Sequence, residues 1–163
     1  MSNTSGLQKI ISTGETRPAT PDEILEAARL VLSHRFRRGV TLDSPAATRQ
    51  YLCMKLGARE HEVFTVLLLD NRHRLIDCLE LFRGTIDGAS VHPREVVKEA
   101  LKCNAAAVIL AHNHPSGVAE PSQADELITR RIRDALAIVD IRVLDHLIVA
   151  GAETLSFAER GLL

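Results

Sequence analysis

The amino-acid sequence predicts an α/β (α+β) fold in which helices flank a mixed β-sheet. Two apolar runs, residues 63–69 and residues 105–111, have the pattern of buried strands. Segments with apolar residues at helical spacing lie before, between and after these runs. The 163 residues, of which 45% are hydrophobic and 25% charged, suffice for one main domain and a short additional segment.

The N-terminal part predicts a tail followed by one helix. Residues 1–19 are rich in Ser, Thr, Gly and Pro and show little periodicity, so we expect a loose tail there. Thr20 suits the N-cap, Pro21 the first helical position and Glu23 the closing of a capping box. Apolar residues at helical spacing continue from there to about Arg37.

A second helix opens the main domain. Ser44-Pro45 is a helix start of the same kind, and Gly57 is suited to end the helix. We therefore assign residues 1–43 to an N-terminal tail and helix, and residues 44–163 to the domain itself.

The later elements follow from the same two periodicities, which are close to two for strands and 3.6 for helices. Turn residues separate them. They are a hairpin with strands 63–69 and 74–82 joined by a turn at 70–73, an irregular stretch at 84–91, helix 93–103, strand 105–111, helix 122–139, strand 142–149 and a short strand near 155–157. This order predicts a mixed sheet between helices.

Charge and cysteine content exclude several classes of protein. The net charge of −1 argues against strong nucleic-acid binding. Cys53, Cys78 and Cys103 are far apart and form no Cys-x-x-Cys pair, which is typical of reduced thiols in the cytoplasm. No apolar stretch has membrane-spanning length, and the polar N-terminus lacks a signal-peptide core. We therefore expect a cytoplasmic protein without a membrane partner.

Two histidines stand where the second apolar run ends. His112 and His114 are two positions apart, so both side chains would point to the same face of a strand. Pro115 cannot donate to a sheet ladder and should end the strand. After a loop, Ser122 suits a helix N-cap, with Asp125 at the third helical position. Two His and one Asp, with one position left for water, are the ligand set of a catalytic zinc site.

A hydrolytic zinc site also needs a general base. Glu62 stands at the start of the 63–69 strand, at the rim of the sheet, while Glu60 and Glu80 are weaker candidates. Ser122 either caps its helix or points its hydroxyl at a substrate oxyanion, and spacing alone does not choose between these roles.

Asp145 and His146 form another polar pair within a predicted strand. Because adjacent strand residues face opposite sides of a sheet, both cannot reach the metal. His146 is either a hydrogen-bond partner of a ligand histidine or a satisfied core histidine.

The pattern His112-x-His114-Pro115 followed by Ser122-x-x-Asp125 resembles the metal motif of the JAMM (MPN-plus) metallohydrolases. Residues 91–97 and 110–117 resemble the bacterial RadC-like branch more closely. The resemblance extends over roughly residues 44–158, most of the chain. Longer RadC-like proteins carry a helix-hairpin-helix DNA-binding domain, whereas this chain resembles the short, single-domain relatives.

The resemblance implies a JAMM fold, which is similar to that of cytidine deaminases, with one zinc ion held by His112, His114, Asp125 and a water molecule. It gives Glu62 the role of the family's catalytic acidic residue. It gives Ser122 the role of stabilising the tetrahedral intermediate.

The expected activity is therefore zinc-dependent hydrolysis of amide or isopeptide bonds in a peptide or protein substrate. The alternative is a non-catalytic module that keeps the fold and the metal and binds a protein partner or DNA, in a DNA-repair or mobile-element setting. An exposed sheet edge or helix could also pair two chains into a homodimer.

Overall fold

The computed structural model describes residues 8–10, 16–35, 44–84 and 91–163. The chain divides into two compact units, Met1–Arg35 and Phe36–Leu163. Most of the stretch predicted to be irregular at 84–91 lies outside the described residues. The same is true of the predicted end of the first helix near Arg37.

The described residues of the first unit form a small hairpin and one helix. Strands β1 (Gln8–Ile10) and β2 (Thr16–Pro18) pair antiparallel, and helix α1 spans Pro21–Arg35. The prediction of a loose tail is therefore wrong for these two strands, because a three-residue strand is too short to show an alternating pattern.

The predicted cap of α1 is confirmed. Thr20 Oγ1 accepts from the Glu23 N–H at 3.3 Å, and the Thr20 N–H donates to the Glu23 carboxylate at 3.0 Å. Arg17 on β2 donates to both oxygens of the same carboxylate, at 2.6 and 2.9 Å. The hairpin is therefore joined to the first turn of the helix.

The described residues of the second unit form a five-stranded mixed sheet with helices, as predicted. Its elements are α2 (Pro45–Leu56), β3 (Val63–Leu69), β4 (Leu75–Arg83), α3 (Pro93–Lys102), β5 (Ala107–Asn113), α4 (Gln123–Ala137), β6 (Arg142–Ala150), β7 (Glu153–Ser156) and α5 (Phe157–Arg160). The strand order is β4-β3-β5-β6-β7. The β5–β6 pair is parallel and the other neighbours are antiparallel.

The last strand ends one residue earlier than predicted. Ser156 closes β7, and its Oγ accepts from the Glu159 N–H at 3.2 Å, which caps the short helix α5. Phe157, predicted as a strand residue, is the first residue of that helix.

The sheet is buried on both faces. The face toward α2 packs Leu52 and Leu56 against the strands, and the face toward α3 and α4 packs Val96 and Ile132 against them. A sheet covered on both sides explains why β3 and β5 are mostly apolar and do not alternate between apolar and polar residues. Within the described residues, no helix is both long enough and apolar enough to cross a membrane.

Gly57 ends α2 as predicted, but for a different physical reason. Its φ of −62° is open to any residue. A Cβ there would instead lie 2.4 Å from the carbonyl oxygen of Gly151 and 2.5 Å from that of Cys53. Glycine therefore allows the end of α2 to contact the turn between β6 and β7.

Thr65 at the centre of β3 carries, among the described residues, the one buried side-chain polar atom without a hydrogen-bond partner. A Thr65→Val substitution keeps the shape and removes the unsatisfied hydroxyl. We expect the free energy of unfolding to rise by about 1 kcal/mol, because an unpaired buried hydroxyl is costly. Urea unfolding of both proteins measures this difference, and a less stable variant would show that the hydroxyl has a partner.

Candidate metal centre

Strand β5 brings the two histidines of the motif together. His112 is buried near the end of the strand, and His114 lies one residue beyond it, half-buried. The backbone N–H of His114 donates to the Val149 carbonyl at 2.8 Å, which continues the pairing with β6 past the strand end. The two Nε2 atoms lie 3.0 Å apart. The expectation that both imidazoles point to one place is met.

The first turn of α4 supplies the carboxylate. Asp125 and Ser122 form a reciprocal capping box: Ser122 Oγ accepts from the Asp125 N–H at 3.1 Å, and the Ser122 N–H donates to Asp125 Oδ2 at 2.7 Å. Asp125 Oδ1 lies 3.2 Å from His112 Nε2, and Oδ2 lies 3.6 Å from His114 Nε2. The helix cap therefore also aims the carboxylate at both histidines.

The electrostatics of the cluster are those of a cation site. The carboxylate of Asp125 raises the pKa of His114 above its ordinary value, through a hydrogen bond and through its charge, and Glu62 adds to this. Burial acts to raise the pKa of Asp125. The interactions with His112, His114 and Ser122 outweigh this effect, so the pKa of Asp125 lies well below its usual range. The carboxylate is therefore ionised at any physiological pH.

The donor set fits zinc. His112, His114 and Asp125 each offer one ligand atom, and the three atoms all lie within 4.8 Å of one another. Imidazole nitrogen and carboxylate oxygen are ligands that zinc takes in proteins. The Nδ1–H of His114 donates to the Val118 carbonyl at 2.9 Å, so the Nε2 of this ring is the atom left to bind a metal.

Glu62 stands directly before β3, beside the histidines. Phe64 pairs with His112 at the end of the antiparallel ladder, so Glu62, two residues before Phe64, lies at the same end of the sheet as His114. Its charge acts on His114, as the pKa of that residue shows. The carboxylate is therefore near the ligands without belonging to the cluster of three.

Asn113, the residue between the two histidines, holds the segment that carries Glu62. Its buried side chain accepts from the Val63 N–H at 2.8 Å and donates to the His61 carbonyl at 3.0 Å. Sequence reasoning missed this residue. The available signal was its polar side chain at the end of a strand that is otherwise apolar.

The Asp145–His146 pair divides between two places, as strand alternation predicts. Asp145 accepts from Ser156 Oγ at 2.6 Å and from the Ala158 N–H at 3.0 Å, at the start of α5. His146 is fully buried, and its Nε2 lies 2.8 Å from His112 Nδ1. Of the two roles that the sequence allows for His146, the structure shows the hydrogen bond to a candidate ligand. Burial lowers the pKa of His146 well below its ordinary value, so the ring is neutral.

The weaker acidic candidates lie differently. Glu80 forms ion pairs with Arg59 at 2.9 Å and with Lys55 at 3.7 Å. Glu60 is exposed.

The sequence model of the RadC-like JAB domain matches residues 42–162, most of the chain. This chain belongs to the RadC-like JAB domain family. The predicted resemblance is thereby confirmed, and membership is consistent with the hydrolase-like fold and with the candidate metal cluster.

Similar proteins come from several bacteria, and the three described here each carry the name UPF0758 protein. One from Nitrosococcus oceani is 66% identical over 139 residues, which are 85% of this chain and 62% of that protein. One from Marinobacter nauticus is 59% identical over 150 residues, 92% of this chain and 67% of that protein. One from Vibrio cholerae is 61% identical over 140 residues, 86% of this chain and 88% of that protein. The chain thus spans less than two thirds of the first relative and most of the last.

Zinc affinity should depend on pH because a ligand nitrogen must lose its proton before it binds a metal. The pKa of His114 is raised, so protons compete with zinc up to a higher pH than at an ordinary histidine. We expect zinc affinity to tighten as pH rises through that pKa and then to level off. Titration against a competing chelator across the pH range measures this.

The stability of the metal-free protein should fall as pH rises, which is opposite to the trend in zinc affinity. The contribution of protonated His114 to stability is complete below the unfolded pKa of about 6.5 and is lost as pH rises through the raised folded pKa. Thermal unfolding of chelator-treated protein provides this control. Zinc affinity that is independent of pH would contradict the assignment of His114 as a ligand.

Proposed function

We propose that this chain is a zinc-dependent hydrolase of amide or isopeptide bonds in peptide or protein substrates. One observation carries the proposal: His112, His114 and Asp125 converge on one point while a further carboxylate, Glu62, lies close enough to act on His114. Membership of the RadC-like JAB domain family supports a hydrolase-like reading of this geometry.

The ligand count favours catalysis over a structural role. Structural zinc sites close with four protein ligands, whereas catalytic sites have three and keep a position for water or substrate. The cluster of the described residues offers three ligands. A bound zinc ion would lower the pKa of a water molecule to about 7 and polarise a substrate carbonyl group.

Glu62 would serve as the proton carrier. Its carboxylate accepts a proton from the attacking water as the water oxygen bonds to the carbonyl carbon. It then gives this proton to the amine nitrogen as the C–N bond breaks, so that the products are an amine and a carboxylic acid, which releases its remaining proton to solvent. The hydrogen bonds of Asn113 to the backbone at His61 and Val63 hold the intervening Glu62 in place for both transfers.

Ser122 would stabilise the oxyanion of the tetrahedral intermediate. In the structure its hydroxyl donates to Asp125 Oδ2 at 2.6 Å. To serve the substrate, this hydroxyl turns from Asp125 toward the carbonyl oxygen. Asp125 keeps the hydrogen bond from the Ser122 N–H at 2.7 Å, so the carboxylate stays oriented during the exchange.

A Glu62→Gln substitution tests the role of the base, because the amide cannot accept the proton. We expect turnover to fall by about 10²- to 10⁴-fold with unchanged zinc content. The assay uses zinc-loaded protein with a peptide library and with peptides joined through a lysine side chain. Glu60→Gln, the same change at an exposed position two residues away, should retain wild-type turnover.

Two results would contradict the proposal. Zinc-loaded wild-type protein that cleaves neither substrate set but retains a protein or DNA partner would favour the non-catalytic module. A His114→Ala variant that keeps wild-type zinc stoichiometry would place the metal elsewhere.

A further inference from the structure

His146 on β6 and Thr129 on α4 form a buried chain of hydrogen bonds behind the candidate centre. His146 Nε2 lies 2.8 Å from His112 Nδ1, and His146 Nδ1 lies 2.6 Å from Thr129 Oγ1. Both residues are almost completely shielded from solvent. Each ring nitrogen of His146 therefore has one protein partner.

The Thr129 hydroxyl determines which atom donates in each of these hydrogen bonds. It lies 2.5 Å from the backbone carbonyl oxygen of Asp125, one helical turn earlier. A carbonyl oxygen only accepts, so the single proton of the hydroxyl is used in this bond. At its contact with His146, the Thr129 oxygen must therefore accept, and the proton lies on His146 Nδ1.

The same assignment of protons extends to His112, the candidate metal ligand. With its proton on Nδ1, a neutral His146 presents a lone pair at Nε2. This nitrogen accepts from His112 Nδ1–H, which leaves the lone pair of His112 on Nε2. That atom is the one that faces His114 and Asp125.

We propose that Thr129 and His146 are positioning residues that hold His112 in the Nδ1–H tautomer, so that its Nε2 is always ready to bind the metal. The inference rests on the proposed zinc site and deepens it. This chain of hydrogen bonds begins at the backbone carbonyl of Asp125, whose carboxylate is a candidate ligand. The helix that supplies Asp125 and the strand that supplies His112 therefore constrain each other.

The reverse arrangement of protons fails on distance. If His112 Nδ1 accepted from His146, then His146 Nδ1 would need the Thr129 proton. Two oxygen atoms, Thr129 Oγ1 and the Asp125 carbonyl, would then face each other at 2.5 Å without a proton between them.

The test compares three variants. Thr129→Val removes the acceptor for His146 and keeps the shape, and Thr129→Ser restores a hydroxyl. Thr65→Val is the matched control, because it removes an equally buried hydroxyl that has no hydrogen-bond partner. Zinc affinity is measured by chelator competition. The tautomers of His112 and His146 are read from imidazole nitrogen NMR of the metal-free protein in alkaline buffer.

We expect the wild-type spectrum to show protons on Nδ1 of both His112 and His146. In Thr129→Val, we expect a mixture of tautomers at both rings and zinc affinity weakened by about tenfold or more. Thr129→Ser and Thr65→Val should both match the wild type in both measurements.

A proton on Nε2 of His112 in the wild type overturns the inference, and this measurement needs no variant to fold. So does a Thr129→Val variant that loses thermal stability but keeps the wild-type tautomers and zinc affinity, since the role is then structural only. Wild-type protein that binds no zinc refutes the proposed function instead, and the tautomer spectra remain a separate result.

Discussion

The pairing of β5 with β3 on one side and β6 on the other is the constraint on which the candidate centre depends. The antiparallel pairing with β3 brings the start of β3, which Glu62 precedes, to the end of β5 that carries the histidines. The parallel pairing with β6 brings His146 within hydrogen-bond distance of His112. Because β5 is central and buried on both faces, its register is strongly specified. The positions of the polar residues at its end are thus fixed by the packing of an apolar strand.

The capping box of α4 has a second role in the candidate centre. The capping box at the start of α4 satisfies backbone groups that a helix start always leaves unpaired. The same hydrogen bonds turn the Asp125 carboxylate toward the histidines, and Thr129, one turn later, connects this helix to His146. The same contacts therefore stabilise the start of the helix and position the candidate ligand.

Much of the site could be predicted from sequence because its signals are local. Strand alternation places His112 and His114 on one face, and the Ser122 cap places Asp125 in the first turn of a helix. The sequence alone does not decide the role of His146, for a physical reason. A register irregularity inserts one residue of β6 between the pairs Val108–Val143 and Ile109–Asp145. One residue of slip exchanges the two faces of a strand, and such irregularities leave no mark in a single sequence.

Contacts between distant parts of the chain account for what was missed. Asn113 bonds to a segment some fifty positions earlier, and Thr129 bonds across to β6, so neither shows a local pattern. The short β1–β2 hairpin is also absent from the sequence-based prediction, because strands of this length carry almost no periodicity.

The most direct test of the central claim is a crystal structure of the zinc-loaded protein with anomalous scattering recorded at the zinc edge. We expect one zinc ion bonded to Nε2 of His112 and of His114 at about 2.0–2.1 Å, and to an oxygen of Asp125 at about 2.0–2.2 Å. A zinc ion bound through Nδ1 of either ring, or held by residues other than these three, would contradict it.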